Sequence, residues 1–295
     1  MPETTSVKGK SQFQRVIRTL GRKNVACISA LVLLVMLLCA VFPQWIAPRD
    51  PYEQDLSRRL RLPAGFERSV PGFYLGTDQL GRDILSRLVY GARYSLFISG
   101  VAVLVSCVIG IAAGLLAGYY GGKFDLLIMR LIDMQLAFPV ILLVIAIMAV
   151  VGPSLTNLIV IMGISAWPRY ARLARGSVLS VKEMEYIDAA HSIGTPTYRV
   201  MLHHILPNIL SPLIVYATFE LARMILLEAT LSFLGLGVQP PTPTWGGMIN
   251  DGKQYIYNSW AVSVIPGLAI VLLILAVNML GDELRDALDP QLSEE

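Results

Sequence analysis

Apolar residues in this chain gather into long blocks separated by shorter polar segments. Six such blocks cover roughly 25–46, 94–118, 130–151, 155–175, 209–234 and 260–281. Each approaches the ~20 residues a helix needs to cross the hydrocarbon core of a bilayer. The pattern therefore predicts an all-α integral membrane protein with six transmembrane helices. The fourth block is the shortest on its own terms, because only Leu155 to Trp167 is uncharged. It spans if Arg169 and Arg172 extend their long stems to the interface. The expected organisation is an N-terminal segment 1–24, a membrane domain 25–290, a polar loop 176–208 within it, and a tail 282–295.

The polar segments carry their own periodicity. Before the first block, Phe13, Val16, Ile17 and Leu20 recur at helical spacing while Arg15, Arg18 and Arg22 fall elsewhere. That reads as an amphipathic helix lying on an anionic membrane surface, or as a basic tail. A cleaved signal peptide fits poorly, since the run from Val25 to Phe42 is long and ends in Pro43-Gln44-Trp45 without a small-residue cleavage site. Ahead of the second block, Thr77 or Asp78 can cap a short interfacial helix with Ile84, Leu85, Leu88 and Val89 on one side. Asp78/Arg82 and Asp83/Arg87 would then pair at i, i+4 on its polar side.

Composition agrees with the block pattern: 55% of residues are hydrophobic, 15% are charged, and mean hydropathy is +0.60. A net charge of +3 over 295 residues gives no reason to expect nucleic acid as a partner. Lys and Arg set orientation. With the N-terminus in the cytoplasm, fourteen fall on the inner side and nine on the outer, which favours both termini inside. Cys27, Cys39 and Cys107 lie within apolar blocks and read as packed thiols. His191, His203 and His204 have no carboxylate or thiol at ligand spacing, so no metal site is expected. No nucleotide-binding P-loop occurs, the stretch around Lys123 lacking its first Gly and its hydroxyl. Catalytic residues are expected to be none.

Two charge patterns stand out. Arg169, Arg172 and Arg175 recur every third residue, as in a voltage sensor, but at the end of a block they read as a cytoplasmic collar of positive charge. Glu220, Arg223 and Glu228 lie inside the fifth block, where charge is costly and rarely faces lipid. They form either a cluster that locks helices together or the polar wall of a solute path.

A polar, helix-favouring run between the fourth and fifth spans covers Glu185 to Asn208. Glu183 to Ile193 favours helix and stops at Gly194, a natural left-handed position. Thr195 and Pro196 then suit the start of a second helix reaching about Leu206, with Pro207 at the entry to the fifth span. Ala189-Ala190 offers a smooth patch for the approach of another protein.

Asp188-Ala189-Ala190, Gly194 and His204-Ile205-Leu206-Pro207 stand at the spacing of the E-A-A…G…I-x-L-P signature, which resembles the permease subunits of binding-protein-dependent ABC importers. Asp188 stands for Glu and His204 for Ile. Gly76 to Arg93, Leu231 to Ile249 and Leu280 to Pro290 are similar to the C-type permease of the dipeptide/oligopeptide subfamily. The resemblance implies a type I importer fold in a bacterial inner membrane, and alternating access driven from outside the chain. It implies a second, different permease subunit, two ATPase subunits carrying ATP and Mg, a periplasmic or lipid-anchored solute-binding protein, and no cofactor in this chain. Glu185, Asp188, Ala189, Ala190, Gly194, Leu206 and Pro207 become the expected ATPase-coupling residues. Gln239, Pro240, Pro241 and Trp245 become a landing surface for the binding protein, or a stiff spacer. The subfamily handles dipeptides, oligopeptides, glutathione and nickel complexes, and the sequence does not choose among them. A secondary transporter is the rival reading; it would show repeated halves.

Overall fold

The computed structural model describes residues 24–288. The amphipathic segment expected before residue 24 and the final residues of the tail lie outside them. Among the described residues the chain is helical throughout its ordered elements. Helix α1 covers Asn24–Val41 and a short α2 covers Pro43–Ile46. Then come α3 (Ile84–Tyr120), α4 (Gly122–Leu136), α5 (Val140–Val151) and α6 (Leu155–Lys182). They are followed by α7 (Glu185–Ser192), α8 (Thr197–Arg199), α9 (Leu206–Phe233), α10 (Trp245–Gly252) and α11 (Ala261–Leu288).

The predicted apolar blocks coincide with helices, two of them with broken pairs (α1–α2 and α4–α5). Among the described residues, three continuous runs are long and apolar enough to cross a membrane: Ile84–Tyr120, Thr197–Phe233 and Ala261–Leu288. The expected third span is broken. Its two halves, α4 and α5, meet at 84° across Ala137 to Pro139, where Pro139 cannot continue a helix from the residues before it. Helix α6 is a single 28-residue helix, but its charged second half keeps its mean hydropathy low.

The interfacial helix expected before the second span is not a separate element. It forms the first turns of α3, capped by Asp83 and not by Thr77 or Asp78. At 1.5 Å per residue this 37-residue helix is about 55 Å long. It is the axis of the bundle, packing against α6, α9 and α1. Gly110, Gly114 and Gly118 let it lie against α6: a Cβ on Gly114 would sit 2.4 Å from the Ala171 carbonyl oxygen. Helix α11 completes the bundle by packing on α9, α1 and α10.

The long run Thr197–Phe233 begins with α8, passes through a π-helical stretch at Val200–Ile205, and continues as α9. The wide turn precedes Pro207, whose ring would clash with the carbonyl four residues back in a regular α-helix. The Leu206 N–H reaches back to the Met201 carbonyl, five residues away. The expected break at Leu206-Pro207 is therefore a widened but continuous helix.

Candidate functional site

The two ends of α3 carry different structures. Its last turn meets the hairpin formed by α7, a turn, and α8. Ile187 and Ala190, three residues apart on α7, are buried against Tyr119, Val181, Val200 and Met201. Ile193 and Gly194 close the helix as a Schellman turn. The Gly194 N–H donates to the His191 carbonyl at 2.9 Å and the Thr195 N–H to the Ala190 carbonyl at 3.1 Å. Gly194 sits at φ +79°, as its position in the sequence demands. Pro196, not Thr195, precedes the next helical turn.

Glu185, Asp188, Ala189, Gly194 and Pro207 are exposed, and Leu206 is half-buried. Ala190 is not part of the free face: 5% exposed, it belongs to the core beneath the hairpin. The contact patch expected at Ala189-Ala190 therefore reduces to Ala189, because consecutive helical residues point 100° apart. His191 and Lys182 fasten the hairpin to α3. The His191 Nε2 lies 3.2 Å from the Tyr119 hydroxyl, and Lys182 Nζ donates to the Tyr119 carbonyl at 2.7 Å.

The charged residues of α9 divide in two. Glu220, 2% exposed, accepts from the Tyr216 hydroxyl at 3.1 Å. Arg223 Nη1 lies 3.5 Å from its Oε2 and Arg169 Nη1 lies 3.9 Å from its Oε1. Arg169 thus leaves the expected arginine collar and joins this cluster from α6. Both arginine side chains stay about a third exposed, at 31% and 39%. Glu228 does not share the stripe: it is fully buried and accepts from the Ser232 hydroxyl at 2.7 Å. The expected Glu–Arg–Glu set is in fact two arginines about one glutamate, with Glu228 a buried strut elsewhere on the helix.

The loop after α9 holds Gln239, Pro240 and Pro241 exposed, with a cis Pro240–Pro241 bond. Gln239 Nε2 donates to the Gly235 and Gly237 carbonyls. Trp245 is a correction: 1% exposed, it cannot offer a landing surface. Its ring lies against Gly91, and its Nε1 donates to the Leu88 carbonyl at 2.9 Å. It anchors α10 to the first turns of α3.

At that same end of α3, buried charges form a network that the sequence hid. Asp78 Oδ2 receives Arg82 Nε at 2.7 Å and Arg87 Nη1 at 3.4 Å. Asp251, from α10, lies 3.4 Å from Arg82 and 3.3 Å from Arg87. Asp83, expected to pair with Arg87, instead accepts from the Ser86 N–H and hydroxyl. Outside the buried set, Ser57 donates to Asp55 and holds its carboxyl below the usual range. Thr77 further ties the preceding loop by donating to the Arg58 carbonyl. Among the described residues, no group of three or more His, Cys, Asp or Glu is placed to hold a metal ion.

An all-helical bundle with helices of membrane-crossing length, a hairpin at one end and a braced loop at the other is the architecture of a membrane-embedded component. The chain belongs to the binding-protein-dependent transport system inner membrane components, whose family model matches residues 110–294. The N-terminal membrane domain of oligopeptide transport permease C matches residues 11–64. It is therefore a multi-pass inner-membrane protein of the peptide-permease branch, one component of a transport system that also includes ATPase subunits and a binding protein. It is 47% identical to the di/tripeptide transport system permease protein DppC of Pseudomonas aeruginosa, over 89% of this chain and 86% of that one. It is 42% identical to the dipeptide transport system permease protein DppC of Haemophilus influenzae, over 91% of each. The glutathione transport system permease protein GsiD of Pectobacterium atrosepticum is also 42% identical, over 96% of this chain and 92% of that one. Among solved structures, inward-facing forms of the MetNI methionine ABC transporter share the fold. The TM-score is 0.55 at 21% identity, covering 69% of this chain and 96% of that one.

Proposed function

We propose that this chain is the C-type permease subunit of an ATP-driven importer of di- or oligopeptides. It pairs with a second, different permease and is driven by two ATPase subunits that hold ATP and Mg. Both termini lie in the cytoplasm, which puts the α7–α8 hairpin on the ATPase side and the braced loop on the side of the binding protein. The observation that carries the reading is the hairpin: a short helix anchored on one face by Ile187 and Ala190, with Glu185, Asp188 and Ala189 left exposed on the other. A helix held in this way transmits force, because its buried face moves α6 and α9 with it.

In this scheme ATP binding draws the two hairpins of the permease pair together. Helices α6 and α9 rotate, and the solute path opens to the binding protein; hydrolysis resets it. Gln239, Pro240 and Pro241 remain candidates for contact with the binding protein. Glu220 with Arg169 and Arg223 carries one more positive than negative charge when ionised, and both arginine side chains are partly exposed. Such a cluster suits the carboxyl end of a peptide. Glutathione ends in carboxylates as well, and the relatives include permeases for both solutes.

Reconstituting the whole importer in liposomes and measuring ATP-dependent uptake of labelled dialanine, with glutathione as competitor, tests the solute. Cysteine at 189 should crosslink to an ATPase subunit while cysteine at 190 should not. No crosslink from 189 in an active complex would overturn the docking model.

A further inference from the structure

We infer that Gln135 is a positioning residue for transport, which sets the bend that Pro168 imposes on α6 by occupying the Ile164 carbonyl that the proline leaves without a partner and the Ser165 carbonyl beside it. The inference rests on the permease reading for its functional consequence, but not for its geometry.

Pro168 is buried in the middle of α6. Proline has no N–H, so the carbonyl of Ile164, four residues back, loses its helical donor. Within a bilayer such a group must be satisfied again, by a neighbouring helix, a hydroxyl side chain, an ordered water or a local change of helix type. Gln135, near the end of α4, does this. Its Nε2 donates to the Ile164 carbonyl at 2.9 Å and to the Ser165 carbonyl at 3.1 Å. The amide orientation is fixed by Trp167, whose indole Nε1 can only donate and meets Gln135 Oε1 at 3.0 Å. One side chain thus uses both donors and its acceptor on positions 164, 165 and 167, all within about one helical turn before the proline.

What lies on either side of the latch makes it more than local repair. Gln135 stands two residues before the break at Ala137 to Pro139, where α4 turns by 84° into α5. Below it, α4 is pinned twice more to the second half of α6. Asp133 meets Arg172 at 2.8 Å, and Asp125 meets Arg175 at 2.5 and 2.6 Å. Helices α4 and α6 are therefore joined on both sides of Pro168, by Gln135 before it and by the two ion pairs after it. Arg169, which reaches Glu220, is the first residue beyond the proline, and α7 follows directly at the other end. A change in the kink angle moves Arg169 relative to Glu220 and moves the hairpin with it.

The test is a double-mutant cycle in the complete importer. Gln135→Leu should lower dialanine uptake per assembled complex by about tenfold, the effect of taking the side-chain donors from the Ile164 and Ser165 carbonyls, and raise the ATP hydrolysed per solute. Gln135→Glu, which keeps the shape but loses the donors, should do the same. Pro168→Ala returns to Ile164 a backbone N–H, so adding it to Gln135→Leu should bring uptake back to within about twofold of Pro168→Ala alone. Wild-type uptake by Gln135→Leu, or a double variant as poor as that single one, would overturn the inference. Thermal unfolding of the same complexes reads the 135–168 interaction without any solute. Additive shifts there would also overturn it, whereas non-additive shifts in an importer that moves neither dialanine nor glutathione would indict the solute assignment instead.

Discussion

Ion pairs brace the loop end of α3 and, toward the hairpin end, join α4 to α6, but the two sets are built on opposite terms. At the loop end, Arg82 and Arg87 pair with Asp78 while all three side chains are 3–4% exposed. At the hairpin end, Arg172 and Asp133 pair at 55% and 57% exposure. Desolvated charges are stable only when every partner is in place, and losing one leaves the others stranded. Exposed charges exchange a partner for water at little cost. The loop end is thereby made an all-or-none platform, while the hairpin end can shift its pairings during a transport cycle.

The sharpest way to break this comparison is Asp78→Ala. It strands two arginines with only the part-exposed Asp251 near them, and should cost ~3–5 kcal/mol. Thermal unfolding of the purified complex in detergent would show it as a large fall in midpoint; a variant as stable as the parent would remove the distinction between the ends. Next in size is Gly246→Ala. A Cβ there would lie 2.3 Å from the Ala229 carbonyl oxygen and 2.7 Å from its Cα, so α10 must back away from α9. Overpacking of this kind costs ~1–3 kcal/mol, and the same melt should register it.

What was legible in the sequence follows the same divide. The hairpin could be read because its determinants are local. Gly194 closes α7, Pro196 precedes α8, and the helical period of Ile187 and Ala190 lies within one segment. Even there, local reasoning placed Ala190 outward, since only the packing of Tyr119 and Val200 reveals which face is buried. The loop end could not be read in the same way. Asp78, Arg82, Asp83 and Arg87 were visible as helical pairs, but Asp251 is 169 residues from Arg82 and brings the network together only in the fold. Trp245 failed for a related reason. A run of prolines and glycines around an aromatic reads as an exposed loop, and nothing nearby shows that Gly91 makes room for its ring. Glu220 gained Arg169 from another helix and lost Glu228, because an eight-residue offset keeps two side chains on one stripe only approximately.

At the hairpin end the expected effects are smaller and differ in kind. Gly194→Ala meets open space, so only the positive φ of +79° is at issue. An L residue there costs ~1–2 kcal/mol, confined to the turn after α7. Uptake driven by ATP should fall while the melting midpoint of the complex scarcely moves. A midpoint drop as large as that of Gly246→Ala would mean that the hairpin is as integral to the fold as the loop end.

The smallest effect should come from Asp133→Ala, and it is the most direct probe of the contrast. Its bond to Arg172 is short, 2.8 Å, yet both side chains are more than half exposed. Water and salt replace such a pair readily, so its removal should cost no more than ~1 kcal/mol and less as ionic strength rises. The parallel change at Asp125 removes a pair that is 30% and 19% exposed and bonded through two oxygens, and should cost more. Unfolding midpoints taken at low and high salt should rank the three aspartates as 78 above 125 above 133, with only the last sensitive to salt throughout. If Asp133→Ala instead matched Asp78→Ala, the exposed pairs along α4 and α6 would be structural locks, and the hairpin end would have no freedom left with which to follow the ATPase.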